Sequence, residues 1–397
     1  MVKMGMDTWS ARLPAGMAAA WSGLRASSRL AFCRLAVALL ACLAVCASSR
    51  IALAETCTTQ SGMSDAERDG LAAAARGLAV AVQINDVAGL RSSSAVEVQK
   101  DFSSLQYLVS ATSPRLAGLV LTVDQIYLLD ATTLKRNADG SAPDAQFFCS
   151  LNRSTMEADF VIPSLPPGKY GFAVVNFLPA AGADAASAHP WRIAMLFRQE
   201  PAGPAQGRWL LAGFFPKPLT AAGHDGLWYW THARQLAKDK QPWNAWLYYQ
   251  AAQMLLRPAD FVLSTHLDKL HTEQTTAAPP ALSEGVSVDS PLVVKGANGA
   301  EYHITSLSVD DALDQSQLDV AVHLRPDLPL DATPDAKPAA AKAAEPLTPQ
   351  KRNSDAMSAL LTAYPEMRKL FHGVVVYADT PGQPAVMTEQ SMAEIKQ

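Results

Sequence analysis

Two stretches, WRIAMLFRQ at 191–199 and RWLLAGFFPKP at 208–218, constrain this chain more than any other feature. In the first, Trp191, Ile193, Met195 and Phe197 fall on one face of an extended chain, with Arg192 and Arg198 on the other. A period of two predicts a half-buried antiparallel strand. The Gly/Pro-rich EPAGPAQG between the stretches reads as their hairpin loop.

Upstream, residues 64–112 read as helical. Ser64 and Glu67 form an S-x-x-E capping box in front of GLAAAARGLAVAVQ, and VEVQKDFSSLQYLV follows a short polar break. Strand patterns then take over: GLVLTVDQIYLL, QFFCSL, ADFVIPSL and YGFAVVNFL, the last two joined by the turn signal PPGK. N-terminal helices, several antiparallel strands and a closing hairpin ending RWLLAGFFPKP resemble the nuclear-transport-factor-like cone, the fold shared with ketosteroid isomerase, over about residues 64–218. The resemblance implies a curled sheet able to enclose an apolar ligand and, in some members, acid/base residues.

Between 225 and 271 the period changes back to helical. LWYWTHARQLAKDK and WNAWLYYQAAQMLLRP are separated by Gln-Pro, a natural helix break. Ala245, Tyr249 and Ala252, with Pro258 beyond, resemble the second helix of a tetratricopeptide repeat. One such unit is present, whereas an array needs about three. DFVLSTHLDKLHTE reads as a third helix. Residues 272–290 read as a linker. Beyond it PLVVKG, EYHITSLSV and LDVAVHLRP read as strands, NSDAMSALLTAYPEMRKLF as a helix interrupted at Pro365, and HGVVVYAD as a last strand. The Pro/Ala/Lys-rich stretch at 327–352 predicts a disordered insertion.

The N-terminus reads as an export signal. Arg25, Arg29 and Arg34 precede the apolar run LAVALLACLAVCA at 35–47, and Ala52 and Ala54 fit an A-x-A cleavage site before Glu55. A rival reading makes Cys42 a lipidation site, and the protein a membrane-anchored lipoprotein. Three of the five cysteines lie in this segment, which leaves Cys57 and Cys149. An even pair in an oxidising compartment predicts one disulfide, against the alternative of two buried thiols. Residues 1–54 hold six of the 33 Lys/Arg and one of the 37 Asp/Glu, so the remainder is acidic by nine charges. Such a chain has no electrostatic reason to seek nucleic acid. Contact with a membrane is expected only through the signal or a lipid anchor.

Motifs for chemistry are sparse. There is no G-x-S-x-G, H-E-x-x-H, phosphate-binding glycine loop or C-x-x-C, and nothing calls for a metal or cofactor. His266 and His271 are five apart, which on a helix separates them by about 140° and does not form a metal pair. His224 and Asp225 sit in a Gly-flanked turn. Asp124, Tyr127 and Asp130 lie on one strand. Under strict alternation the two carboxylates share a face, either a cone pocket or a solvent-facing side.

The tryptophans offer a different candidate. On the second hairpin helix Ala245, Tyr248, Tyr249, Ala252, Leu255 and Leu256 form the face that builds the hairpin. Trp243, Trp246 and Gln250 fall on another side, as Trp228 does on the first helix. Three uses are open to them: packing inside the chain, gripping a partner protein, or stacking on a sugar ring.

The expected fold class is α+β, in three parts: a cone-like α+β domain at 55–218, a helical hairpin at 219–271, and a small α+β domain at 291–397 beyond the linker. The expected function is an exported, periplasmic or secreted, binding or scaffolding protein that recognises a protein partner or a small apolar ligand. An enzyme or carrier using the cone pocket, and a purely structural envelope protein, are the alternatives.

Overall fold

Helix α1 (Asp65–Gln83) starts where the capping box places it. Ser64 Oγ accepts from the Glu67 N–H, and Glu67 Oε2 accepts from the Ser64 N–H at 3.1 Å. Leu71, Ala75, Leu78, Ala79 and Val82 recur at helical spacing and bury one face. Three shorter helices follow: α2 (Val87–Ser92), α3 (Val96–Lys100) and α4 (Phe102–Thr112). The computed structural model describes residues 55–151, 155–182, 189–202, 206–283, 285–297, 299–311, 316–325, 348–378 and 386–396. The expected export signal, Cys42 and most of the expected insertion at 327–352 lie outside the described residues.

The helices lie on an eight-stranded sheet. Its strands are β1 (Thr56–Thr59), β2 (Val120–Asp130), β3 (Ala145–Leu151), β4 (Thr155–Ile162), β5 (Lys169–Leu178), β6 (Trp191–Gln199), β7 (Trp209–Pro218) and β10 (Val262–Leu263). Their order is β10-β4-β3-β1-β2-β5-β6-β7. The two alternating stretches at 191–199 and 208–218 form the hairpin β6–β7, running from Trp191 opposite Pro218 to Gln199 opposite Trp209. Strand β1 pairs antiparallel with β2 and parallel with β3, and the Cys57–Cys149 disulfide joins it to β3 with the Cα atoms 5.2 Å apart.

The sheet rolls onto itself. Phe160 on β4 and Phe172 on β5 are four strand spacings apart, roughly 19 Å in a flat sheet. Their ring centroids are 5.1 Å apart. The convex face carries Ile126, Leu128, Val175, Ile193, Met195 and Phe197 against the four helices. The concave face is filled by Tyr127, Leu129, Phe147, Phe160, Phe172 and Leu196. Strand β6 is therefore buried on both faces along its middle, where alternation predicted burial on one.

A β-bulge interrupts β2: Val123 pairs with Val175, but Gln125 pairs with Val174, leaving Asp124 as the extra residue. Leu121 and Val123 face the helices before it, and Ile126 and Leu128 do so after it. Strict alternation fails here, and with it the expectation that Asp124 and Asp130 share a face.

After a two-strand ribbon, β8 (Thr220–Ala221) with β9 (His224–Asp225), come α5 (Gly226–Lys238), α6 (Pro242–Leu256) and α7 (Thr265–Ala277). Pro242 occupies the first turn of α6, as the Gln-Pro break predicted. A second sheet runs β11-β12-β13-β14-β15, made of Leu292–Lys295, Glu301–Asp310, Asp319–Arg325, Gly373–Ala378 and Val386–Ser391. Helix α8 (Pro349–Ala363) joins β13 to β14, which run parallel. The helix stops before Pro365, where a 3-10 turn begins. Its start at Pro349 makes the last residues of the expected insertion helical.

The fold is α+β, and residues 54–397 cluster as one compact unit. The hairpin and the second sheet share a single core, with Tyr229, Tyr248 and Leu255 in the same cluster as Ile304, Val322, Leu360 and Val374. Residues 272–290 are correspondingly not a free linker. Helix α7 continues to Ala277, and Leu282 is buried in that shared core. Ala277 and Val286 pack against the same core, so a few apolar side chains within a polar stretch dock it.

Candidate functional site

Helix α6 has no charged residue, and nine of its 15 residues are buried. A helix apolar on all sides belongs inside a core. Trp243 is 6% exposed and stacks on Tyr364, while its backbone N–H donates to Glu366 Oε1 at 2.7 Å. The neighbouring Asn244, fully buried, donates to the Glu366 carbonyl oxygen. Trp243 is thus a core residue, and the expectation of a partner-facing indole is corrected: the C-terminal unit covers it. Trp246 and Gln250 are half-buried. The Trp246 carbonyl oxygen accepts from Gln274 of α7, and Gln250 Oε1 is buried without a hydrogen-bond partner.

Trp228 is sandwiched. The His224 ring lies 3.7 Å from it at an interplanar angle of 5°, and the His232 ring lies 3.7 Å away at 25°. Two rings at that separation must occupy opposite faces of the indole, so no face is left for a sugar. His232 Nδ1 is 2.8 Å from the Trp228 carbonyl oxygen. Asp225 caps α5, accepting from the Trp228 N–H at 2.8 Å. The His224–Asp225 pair is therefore a stacked ring and a helix cap. His266 and His271 sit on exposed positions of α7, and among the described residues no group of three or more His, Cys, Asp or Glu is placed to hold a metal.

The two cone carboxylates do not meet in a pocket. Asp124 is exposed at the bulge. Asp130, in phase with Ile126 and Leu128, accepts from the Thr132 N–H at 2.9 Å and the Thr132 hydroxyl at 2.6 Å, a turn at the end of β2. The interior they were expected to serve is filled by aromatic rings. Only Tyr127 of the three points inward, packing edge-on against Phe160 at 5.2 Å.

What the rolled sheet does form is a cleft at its mouth. Tyr127, Phe160 and Phe172 make the floor, Leu227, Trp230 and Leu256 of the hairpin one wall, and Val262, Leu263 and Leu267 the other. The space is about 370 Å³. Its polar groups are few. Tyr127 OH donates to Gln125 Oε1 at 3.3 Å, Ser264 Oγ caps α7, and His266 stands exposed at the rim. Among the described residues no carboxylate lines it, and Tyr127 and His266 are its only titratable side chains.

The hairpin is pinned over this mouth by polar contacts. Arg192 on β6 donates to the Leu255 carbonyl oxygen at 2.7 Å, placing a cation at the C-terminal end of α6. Burial pulls that guanidinium down to about 10, and the Asp124 charge opposes the shift. Lys217 and Asp260 pair at 3.0 Å beside it. On the hairpin's far side Glu273 of α7 takes Arg234 in a two-bond fork, at 2.7 and 2.9 Å, and the Trp230 indole N–H at 2.7 Å.

Of these cleft residues, sequence reading singled out Tyr127, on the strand that is β2. It missed Phe160, Phe172, Leu227 and His266 as parts of one site, because four separate elements bring them together and no local spacing records it. No family model, curated protein or solved structure matches the chain.

Proposed function

We propose that this protein is an exported binding protein, of the periplasm or the extracellular space, that holds a small apolar ligand in the cleft between the rolled sheet and helices α5–α7. The aromatic-floored space of about 370 Å³ carries the reading. Ligand pockets are of this size, mostly apolar, with a few polar groups that fix orientation. Gln125, Tyr127, Ser264 and His266 supply those groups. The cleft's chemistry suits holding a ligand rather than transforming it, since among the described residues it pairs no acid with a base. The Cys57–Cys149 disulfide fits an oxidising compartment, and no described helix is long and apolar enough to cross a membrane. The cone-like resemblance supports the same use of a curled sheet, with the ligand at the mouth rather than inside.

Titration with the neutral fluorophore N-phenyl-1-naphthylamine tests this. One saturable site per chain is expected, with emission shifted to the blue. Leu227 is 59% exposed and His266 is exposed, so Leu227→Glu and His266→Trp alter the cleft without touching the core. Each is expected to weaken binding at least roughly tenfold. Absence of saturable binding, or binding by both variants as tight as that of the unsubstituted protein, would overturn the reading.

A further inference from the structure

The apolar cleft has a polar neighbour. Strand β1 ends at Thr59, opposite Tyr127. Ahead of Tyr127, β2 therefore has β5 on one side and, among the described residues, no strand on the other. The bulge at Asp124 lies in this open stretch, and bulges gather at sheet edges and beside sites. A groove of about 510 Å³ runs along it, lined by Thr59, Gln60, Ser61, Arg68, Asp124 and the strand as far as Tyr127. Gln125 and Tyr127 border the cleft and the groove alike. The hydrogen bond between them, from Tyr127 OH to Gln125 Oε1 at 3.3 Å, marks the divide, and Gln125 is exposed.

The two spaces differ in chemistry. Rings floor the cleft, whereas the groove presents the hydroxyls of Thr59 and Ser61, the amides of Gln60 and Gln125, and one charge of each sign. Both charges already have partners. Arg68 pairs with Asp65 at 2.8 Å and with Asp69 at 3.3 Å, and both of those carboxylates are mostly exposed, where solvent screens them. Asp124 lies close enough to the buried Arg192 guanidinium to favour its charge. The groove thus holds no surplus charge that calls for an ion. Its hydroxyls and amides both donate and accept, as the hydroxyls of a sugar do. A ligand that fills both spaces is apolar at one end and polar but uncharged at the other.

We propose that the ligand of the cleft is an amphiphile with an uncharged sugar head, which rests on the reading of the cleft as a ligand site and names the class of ligand. The apolar part lies on Phe160 and Phe172. The head crosses the Gln125–Tyr127 divide, and its hydroxyls lie in the groove against Gln60, Ser61, Asp124 and Gln125.

Isothermal titration calorimetry of the full chain with n-octyl β-D-glucoside tests the proposal. The comparators 1-octanol, octanoate and octyltrimethylammonium keep the tail and change the head. The glucoside is expected to bind at one site per chain, to displace N-phenyl-1-naphthylamine, and to bind at least roughly tenfold more tightly than each comparator. Gln60 and Asp124 are exposed and border the groove but not the cleft. Gln60→Ala combined with Asp124→Ala is expected to weaken glucoside binding at least roughly tenfold, with thermal unfolding, octanol binding and naphthylamine binding unchanged. Gln60→Ala alone, which leaves Asp124 beside Arg192, is expected to weaken it at least roughly threefold. Naphthylamine binding together with a glucoside no tighter than octanol would overturn the sugar head and leave the cleft standing. So would octanoate or octyltrimethylammonium binding as tightly as the glucoside, or glucoside binding that survives the double substitution. Absence of naphthylamine binding to the unsubstituted protein would overturn the cleft reading and this one with it.

Discussion

The Tyr364 ring lies against the Trp243 indole, centroids 3.8 Å apart at an interplanar angle of 33°. These residues come from the hairpin and from the end of α8, and the contact is part of the core the two units share. Trp243→Ala is therefore expected to destabilise the whole of that core, by about 3–5 kcal/mol. Trp246 is only partly buried, and its replacement by alanine is expected to cost roughly 1–2 kcal/mol. Urea unfolding of both variants checks the ranking. Equal, small effects would mean that the hairpin and the C-terminal sheet are not one cooperative unit.

The disulfide predicts a second behaviour. Cys149 is fully buried, and the bridge fixes β1 between β2 and β3, closing a span of 92 residues. Thiol alkylation followed by intact-mass measurement is expected to find both cysteines oxidised in the native protein and resistant to mild reductant until denaturant is added. Replacing both with serine is expected to lower stability by about 4–5 kcal/mol in the chain-entropy treatment. Ready reduction without denaturant would show that β1 detaches independently of the sheet.

A close approach between helix and sheet predicts a coupled pair. A Cβ at Gly171 on β5 would lie 2.5 Å from Leu71 Cδ1 and 2.8 Å from Cδ2, and Leu71 is fully buried under α1. Gly171→Ala alone is expected to cost about 1–3 kcal/mol through overpacking. Leu71→Ala alone is expected to cost about 2–5 kcal/mol through the cavity it leaves. Combined, they are expected to cost clearly less than their sum, because each relieves the other. Strict additivity in a double-mutant cycle would place α1 farther from β5 than the contact requires.

These contacts also show which parts of the architecture could be read in advance. The capping box at Ser64, the β6–β7 hairpin, the Gln-Pro break and the stop before Pro365 are local effects of side-chain chemistry on the next few residues, and all four stand where the sequence puts them. Strand β1, TCTT, carries no alternation of polarity, and its place between β2 and β3 is decided by pairing partners some 70 and 90 residues away. The bulge at Asp124 has no signature in a run that otherwise alternates. The site suffered most, because its expectations rested on helical phase and strand parity. Phase sets Trp243 apart from Tyr248 but is silent on what lies opposite each. The uncharged sequence of α6 was the signal that every side of it would be covered. The cleft floor follows from the roll of the sheet, which no local pattern encodes.

The Arg234–Glu273 fork predicts a pH dependence. Hydrogen bonds from Arg234 hold the Glu273 carboxyl below the usual carboxylate range; burial opposes this, and the Trp230 indole N–H reinforces it. A carboxyl depressed in the folded state contributes stability that is fully present above its unfolded value, about 4.3, and is lost as pH falls through the folded value. Arg234 is 41% exposed and Glu273 24%, so solvent screens the pair and the contribution is expected to be modest, about 1 kcal/mol. Glu273→Gln is expected to remove it at neutral pH and to flatten the wild-type loss of stability below about pH 4. Urea midpoints measured from pH 3 to 7 for both proteins check this. Because Trp230 is also a wall of the apolar cleft, the same substitution is expected to loosen naphthylamine binding. Parallel stability curves for the two proteins across that range would show that the fork does not hold α7 against α5.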